Sequence, residues 1–244
     1  MQRYLTKSRF KLALDCPAKL FYTGKSQYPD KSQDDAFLEA LAEGGFQVGA
    51  LAKCYYPDGI EITERGYDIP LQKTQELLSH GTVTIFEGAF KYQNLFIRAD
   101  IIEKKGNDIN LLEVKSSSFG GTDSSNMLTK KGFIDSGWSE YVYDVAFQKY
   151  VITKAYPNWN VRAYLMLADK NSVATVDGLN QKFLLKTVED ERTVVEIVGD
   201  VSPDGLGEEV LIRVCVDALT EKIFNGTDSP NPPEQGFTDY LHYL

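Results

Sequence analysis

Asp100, Glu113 and Lys115 are the residues whose types and spacing best suit chemistry. Glu113 and Lys115 interrupt an otherwise apolar run, 110–115, and residues two apart on a strand project from the same face. Asp100 likewise lies within an apolar run, 95–102, where an isolated carboxylate is costly unless something compensates its charge. We therefore expect two acids and a lysine to meet on neighbouring strands.

A divalent cation would compensate both acids. Mg²⁺ and Mn²⁺ prefer carboxylate, carbonyl and water oxygens, and the carbonyl of Val114 would add a third oxygen to those of Asp100 and Glu113. Lys115 would then orient or help deprotonate an attacking water and offset negative charge on a phosphate. The alternative is a purely structural salt bridge between Lys115 and either acid.

The periodicity of apolar residues predicts the elements that position this group. Helices, strands and turn signals alternate in a fixed order along the chain. The predicted elements are helices over 8–21, 34–52 and 71–79, strands over 82–92, 95–104 and 110–116, a helix over 138–156 and a strand over 161–168. We interpret the three central strands as an antiparallel meander. The order predicts an α/β fold with a mixed central sheet flanked by helices.

Local signals add detail to these elements. Pro17 is expected to break the first helix and Asp34 to cap the second, while Gly44-Gly45 indicates a kink or close packing. The segment 116–137 is rich in Ser, Gly, Asp and Lys, which predicts a polar loop outside the core. Lys130 and Lys131 make this loop a candidate flap that contacts substrate.

The last third of the chain is less informative. A hairpin is predicted over 182–198 and an amphipathic helix over 206–224. From Asn225 onward the composition is typical of a linker without a partner element. This predicts one domain over 1–224, with a core over about 34–180 and an elaboration over 181–224. A linker-like tail, 225–244, would follow, and a further C-terminal domain or protein partner is an open expectation.

Charge and composition limit how the chain can bind a partner. The formal net charge of −9 excludes a broad basic surface, so any contact with nucleic acid must be local. No apolar run reaches the roughly 18 residues of a membrane span, and the chain start lacks a signal peptide, which predicts a cytoplasmic protein. Cys16, Cys54 and Cys215 form no CxxC pair, so we expect reduced thiols packed as small apolar residues.

The arrangement Asp100…Glu113-Val114-Lys115 on adjacent strands between helices resembles the PD-(D/E)XK nuclease superfamily in its RecB-like branch. Ser8-Arg9-Phe10 and Cys16-Pro17-Ala18-Lys19-Leu20-Phe21 are similar to the opening of RecB-like and CRISPR-associated exonucleases. The stretches 37–53, 95–115 and 143–178 also resemble an uncharacterised bacterial nuclease-like family. The resemblance covers roughly residues 1–180.

This resemblance implies a function and a set of roles. Asp100 and Glu113 would be metal ligands and Lys115 the catalytic lysine of an Mg²⁺- or Mn²⁺-dependent nuclease acting on single- or double-stranded DNA in repair, recombination or defence. It also implies an acid on the first core helix, for which Glu43 is the first candidate and Glu39 the second. The alternative is a nucleic-acid-binding or assembly module with the same fold and little or no hydrolytic activity.

Two further residues remain open on the sequence alone, and a cluster site is excluded. Glu87 shares a strand face with Val83 and Ile85, so it is either an additional ligand or a strand-end residue in solvent. Gln148 lies within an apolar helical stripe and is expected to point into the site; the tyrosine four residues later in RecB-like enzymes is absent. Because only Cys16 lies early and Cys215 late, no iron–sulfur cluster is expected.

Overall fold

A computed structural model of the chain describes residues 3–28, 36–188, 193–232 and 236–244, and the side chains of 36–43 fall outside the description. The predicted N-cap Asp34 lies outside the described residues. No helix within the described ranges is long and apolar enough to cross a bilayer.

The fold combines a large mixed sheet, a small hairpin and helices on both sides. The strands are β1 (Leu5–Thr6), β2 (Ile60–Glu61), β3 (Thr82–Tyr92), β4 (Leu95–Lys105), β5 (Asp108–Phe119), β6 (Asn160–Asp169), β7 (Phe183–Thr187), β8 (Thr193–Ile197) and β9 (Leu211–Cys215). The helices are α1 (Lys7–Asp15), α2 (Lys19–Tyr22), α3 (Ala36–Cys54), α4 (Asp68–Leu78), α5 (Ser136–Ala155), α6 (Pro203–Leu206), α7 (Asp217–Phe224) and α8 (Gly236–Tyr243).

The large sheet has the order β2-β3-β4-β5-β6-β9, with β1 attached to β4. Strands β3, β4 and β5 form the predicted antiparallel meander. Helix α5 crosses over between β5 and β6, which are parallel, and β9 is antiparallel to β6. The predicted α/β fold with a mixed central sheet is therefore confirmed.

Strands β4 and β5 separate part-way along their length. Their pairing ends at Ile101 and Leu112. At the start of β4, Leu95 and Phe96 pair instead in parallel with the short strand β1. We call the gap beyond the Ile101–Leu112 pair the fork. Asp100 and Glu113 are the first residues inside it, one on each strand, and α1 begins at its mouth directly after β1.

Alternating apolar residues bury the sheet on both faces. Ile85, Ile97, Leu111 and Leu165 pack with α1, α5, α7 and α8 in the main core. The other face packs Phe86, Ile101, Leu112 and Met166 against the end of α3 and the β7–β8 hairpin in a second, smaller core. Burial on both faces explains the near-continuous apolar runs of the central strands.

The predicted helix over 206–224 is wrong in its first half. Residues 211–215 form strand β9 at the edge of the sheet, and the helix begins only at Asp217. The inward residues Leu211, Val214 and Leu219 fit a helical spacing, but pairing with β6 decides the conformation of the first two. Nonlocal pairing of this kind overrides a short-range pattern.

The segment after Asn225 also differs from the prediction of a linker without a partner. It ends in helix α8, whose Phe237 and Leu241 are buried in the main core. The hydroxyl of Tyr240 donates to the carbonyl of Ala13 at 2.8 Å. The end of the chain therefore completes the core around α1.

Three smaller expectations are corrected. Helix α3 passes through Gly44-Gly45 without a break, and a Cβ at either glycine would meet none of the described atoms within 4 Å, so close packing against the described residues does not explain them. The predicted polar loop begins only after β5 ends at Phe119, and it buries Met127 and Ile134 in the main core. The cysteines are free, but Cys16 and Cys215 are exposed and Cys54 is only half-buried.

Candidate functional site

The fork opens into a cleft of about 840 Å³ between the sheet, α3 and the β7–β8 hairpin. Helix α3 contributes Gly45, Phe46, Gly49, Ala50 and Lys53 to the wall. Asp100, Glu113, Val114 and Lys115 line it together with Lys7 and Glu87. The cleft therefore joins the predicted triad to solvent.

The two predicted metal ligands lie opposite each other across the fork. The Val114 amide donates to Oδ2 of Asp100 at 2.8 Å, which ties the strands together where their ladder has ended. Asp100 and Glu113 thus lie together at the fork, and the Val114 carbonyl as a third oxygen ligand stays a prediction.

Lys7 places a positive charge between the two acids. Its Nζ lies 3.4 Å from Oδ1 of Asp100 and 3.0 and 3.1 Å from the two carboxylate oxygens of Glu113. Lys7 is the first residue of α1, and β1 pairing with β4 brings it to the fork. The Lys7 ammonium therefore lies between the two carboxylates, in the position that a bridging metal ion would take.

Lys115 and Glu113 share a strand face, as predicted. Nζ of Lys115 lies 2.5 Å from Oε1 of Glu113 and 2.9 Å from Oδ2 of Asp144 on α5. The Lys115 side chain is 18% exposed, whereas those of Glu113 and Asp144 are about 1% exposed. The lysine is therefore held between two buried acids, with one side open to the cleft.

Gln148 points into the site, as predicted. Its Nε2 donates to Glu113 at 2.8 Å and to Asp144 at 3.2 Å, and its side chain is fully buried. Asp144 and Gln148 lie one helical turn apart, so α5 presents both to the back of Glu113. The neighbouring Lys149 turns away and pairs with Asp217 and Glu221, and it does not line the cleft among the described residues.

Burial and mutual repulsion set the proton affinities of the acids. Burial, and then the charge of Glu113, raise the pKa of Asp100 to about 7. The same two causes raise the pKa of Asp144. Burial alone would raise the pKa of Glu113, but the charges of Lys7 and Lys115 and hydrogen bonds from Lys115 and Gln148 outweigh it and hold that pKa well below its usual range. Glu113 is the ionised centre of the group.

Both lysines remain protonated despite their burial. Desolvation lowers the pKa of an ammonium, but Glu113 and Asp144 raise the pKa of Lys115 above its ordinary value. For Lys7, the charges of Asp100 and Glu113 likewise outweigh desolvation and raise the pKa. Lys115 is thus an ammonium that donates hydrogen bonds to Glu113 and Asp144.

Glu87 lies at the edge of the site, but not on the predicted face. It adopts a φ of 57°, and the inward alternation of β3 shifts there, because Ile85 and then Phe90 pack in the main core. Glu87 consequently lines the cleft, where it pairs with Lys53 and Arg98 at 3.6 Å each. A left-handed φ at a residue other than glycine is a form of strain that concentrates at functional sites.

Some predicted residues cannot be placed or lie elsewhere. The side chains of Glu43 and Glu39 lie outside the described residues, although the backbone of both is part of α3. Lys130 and Lys131 are not among the described residues that line the cleft. Their loop is anchored by Ile134, whose amide donates to the carbonyl of Asp228 at 2.8 Å.

The donor set fits a hard divalent cation. Within the described residues, no three His, Cys, Asp or Glu side chains are grouped so as to hold a metal ion by themselves. Asp100 and Glu113 nevertheless share one cation, the ammonium of Lys7. Carboxylate, carbonyl and water oxygens are the ligands that Mg²⁺ and Mn²⁺ take.

Sequence reasoning missed Lys7 and Asp144. Asp144 carried a usable signal, because it is an acid within the apolar run 142–147 and lies four residues before Gln148. Lys7 carried none, since only the pairing of the two-residue strand β1 brings it to the fork. No family model, curated protein or solved structure matches the chain. Functional inference therefore depends on the site itself.

Proposed function

We propose that this chain is a metal-dependent nuclease of the PD-(D/E)XK kind that hydrolyses phosphodiester bonds in DNA. The observation that carries the proposal is the convergence of Asp100, Glu113 and Lys115 at the fork, within a cleft that is open to solvent. Two acids and a lysine on diverging strands, backed by a helix, match the arrangement expected from the resemblance.

In this proposal Asp100, Glu113 and the Val114 carbonyl hold Mg²⁺ or Mn²⁺. The bound ion would supply Lewis acidity and lower the pKa of the attacking water. Glu113 suits the role because the neighbouring charges keep it ionised. Asp100 would be held in its ionised form by a bound cation, because a cation favours the ionised form of a neighbouring carboxylate.

Lys115 has a narrower role than the sequence allowed. In the metal-free chain Glu113 and Asp144 raise the Lys115 pKa and favour the ammonium, which would orient the water and offset negative charge on the phosphate. Asp144 and Gln148 are positioning residues, because they contact Lys115 and Glu113 from α5.

A second candidate function is a nucleic-acid-binding or assembly module without hydrolysis. One observation favours it: Lys7 and Lys115 already compensate most of the charge on Asp100, Glu113 and Asp144. Such an ion-pair network needs no metal. In this alternative the acidic surface of the chain would face protein partners.

Digestion of linear, circular and single-stranded DNA with Mn²⁺ separates the two candidates. We expect the wild-type chain to cut at least one substrate and Lys115→Ala to be slower by roughly a hundredfold or more. Lys105→Ala, at the exposed end of β4, is the matched control and should leave the rate unchanged. Equal rates for the wild type and Lys115→Ala would refute the mechanism, and no cleavage of any substrate would favour the second candidate.

A further inference from the structure

One part of the cleft wall is apolar and exposed, in contrast to the charged fork. Phe46 on α3 and Ile197 on β8 both line the cleft, and they are 45% and 44% exposed. Single exposed apolar side chains are common on protein surfaces and need no explanation. Two of them on separate elements of one cleft instead form a surface that a ligand can contact. With Val195, which also lines the cleft, we call these residues the apolar wall.

Strand β8 gives the cleft an uncharged surface. Thr193, Val195 and Ile197 lie two apart on the strand, so they share one face, and all three line the cleft. Val194 also lines it. The one charged residue of β8, Glu196, is not among the described residues that line the cleft. Contact between a ligand and this strand is therefore apolar rather than ionic.

Phe46 is the aromatic member of the apolar wall. Gly49 and Ala50, about one helical turn further along α3, line the cleft beside it and have little or no side chain to cover the ring. The adjacent Gln47 reaches the hairpin, where its Nε2 donates to the carbonyl of Phe183 on β7 at 2.8 Å. This bond ties α3 to the hairpin, so the two parts of the apolar wall keep their places relative to each other.

A nucleotide divides into the same two kinds of surface as this cleft. Its phosphate is an anion that the proposed metal ion at the fork would hold, whereas the flat faces of its base stack on aromatic side chains and pack on apolar ones. In a duplex those faces are covered by the neighbouring base pairs. Only an unpaired base can therefore lie against the apolar wall.

We propose that the apolar wall receives an unpaired base next to the scissile phosphate, so that the site acts on single strands. The inference rests on the proposed nuclease function and narrows its substrate from either form of DNA to the single-stranded form. Stacking on Phe46 needs no cation, so this mode of recognition suits a chain with a net charge of −9.

The test measures binding of a fluorescent oligothymidine by anisotropy, with Mn²⁺ and in the Lys115→Ala background, in which cleavage should be slow. We expect Phe46→Ala to weaken binding by about five- to tenfold, the lower end of the contribution of one stacked base, and Phe46→Trp to retain the affinity. The salt slope should stay the same, because no phosphate contact is lost. Phe21→Ala is the matched control, since this ring on α2 is 62% exposed and is not among the described residues that line the cleft.

An abasic strand of the same length separates loss of stacking from damage to the cleft. Phe46→Ala should bind the abasic strand, and also a blunt duplex, as tightly as the background protein does, because neither offers an unpaired base. Unchanged affinity for the oligothymidine, or an equal loss on the abasic strand or the duplex, would overturn the base site and leave the nuclease function intact. A background protein that binds none of these substrates would instead count against the nuclease function and, with it, this inference.

Discussion

At the scale of single residues, Glu113 organises the site. It is almost fully buried, yet Lys7, Lys115 and Gln148 surround its carboxylate and keep it ionised. Periodicity alone predicted that Glu113 and Lys115 share a face, because residues two apart on a strand always do. It could not predict Lys7, which reaches the fork through a contact between residues 106 positions apart.

The proton affinity of Asp100 makes the metal-free protein sensitive to pH. Its pKa in the folded chain is about 7, whereas an unfolded Asp has a pKa of about 3.9. Between these values the folded state retains a proton that the unfolded state has lost, so stability falls as pH rises and levels off above about 7. The maximal slope is about 1.4 kcal/mol per pH unit, and solvent screening of the partly exposed side chain reduces the pKa shift and so the total change in stability.

Asp100→Asn should therefore stabilise the protein in the absence of metal. In EDTA at pH 8 we expect a higher melting temperature for the variant, with the difference shrinking toward pH 5, because Asn carries no charge to bury. Thermal denaturation of both proteins across this range measures the effect. A wild type that is as stable as the variant at pH 8, or more stable, would contradict the account of Asp100.

At the scale of elements, local patterns predicted the central strands well and the chain ends poorly. Strand β3 has the predicted bounds, 82–92, and β4, β5, β6 and α5 differ by a few residues at their ends. These elements are long and strongly periodic. Strand β9 and helix α8 are short, and contacts with distant elements decide their structure, so their local sequences could not.

Helix α8 should contribute measurably to stability because it fills the core around α1. Leu241→Ala removes a fully buried side chain and should cost about 2 to 3 kcal/mol of unfolding free energy, at the lower end for leucine because a terminal helix can relax. Tyr243→Ala, on the same helix but exposed, is the control. Urea denaturation that gives equal free energies for the two variants would show that the end of the chain behaves as a linker.

At the scale of the whole molecule, topology brings the candidate site residues together in one place. The separation of β4 from β5 creates the fork, β1 brings α1 to its mouth, and α5 closes it from behind. A net charge of −9 is compatible with nucleic-acid binding only if the contacts are local. The sequence predicted Asp100 and Glu113 of the site, but not Lys7, which only the fold brings to the fork.

The most direct test of the central claim is a calorimetric titration of Mn²⁺ into the wild type and three variants. The wild type should bind Mn²⁺, and Asp100→Asn should bind it much more weakly. Lys7→Met should bind it about tenfold more tightly, because no internal ammonium competes for the carboxylates. Lys11 also lies on α1 but pairs with Glu140 of α5, away from the fork. Lys11→Met should therefore match the wild type. Absence of binding, or equal affinity in all four proteins, would contradict a metal site at the fork.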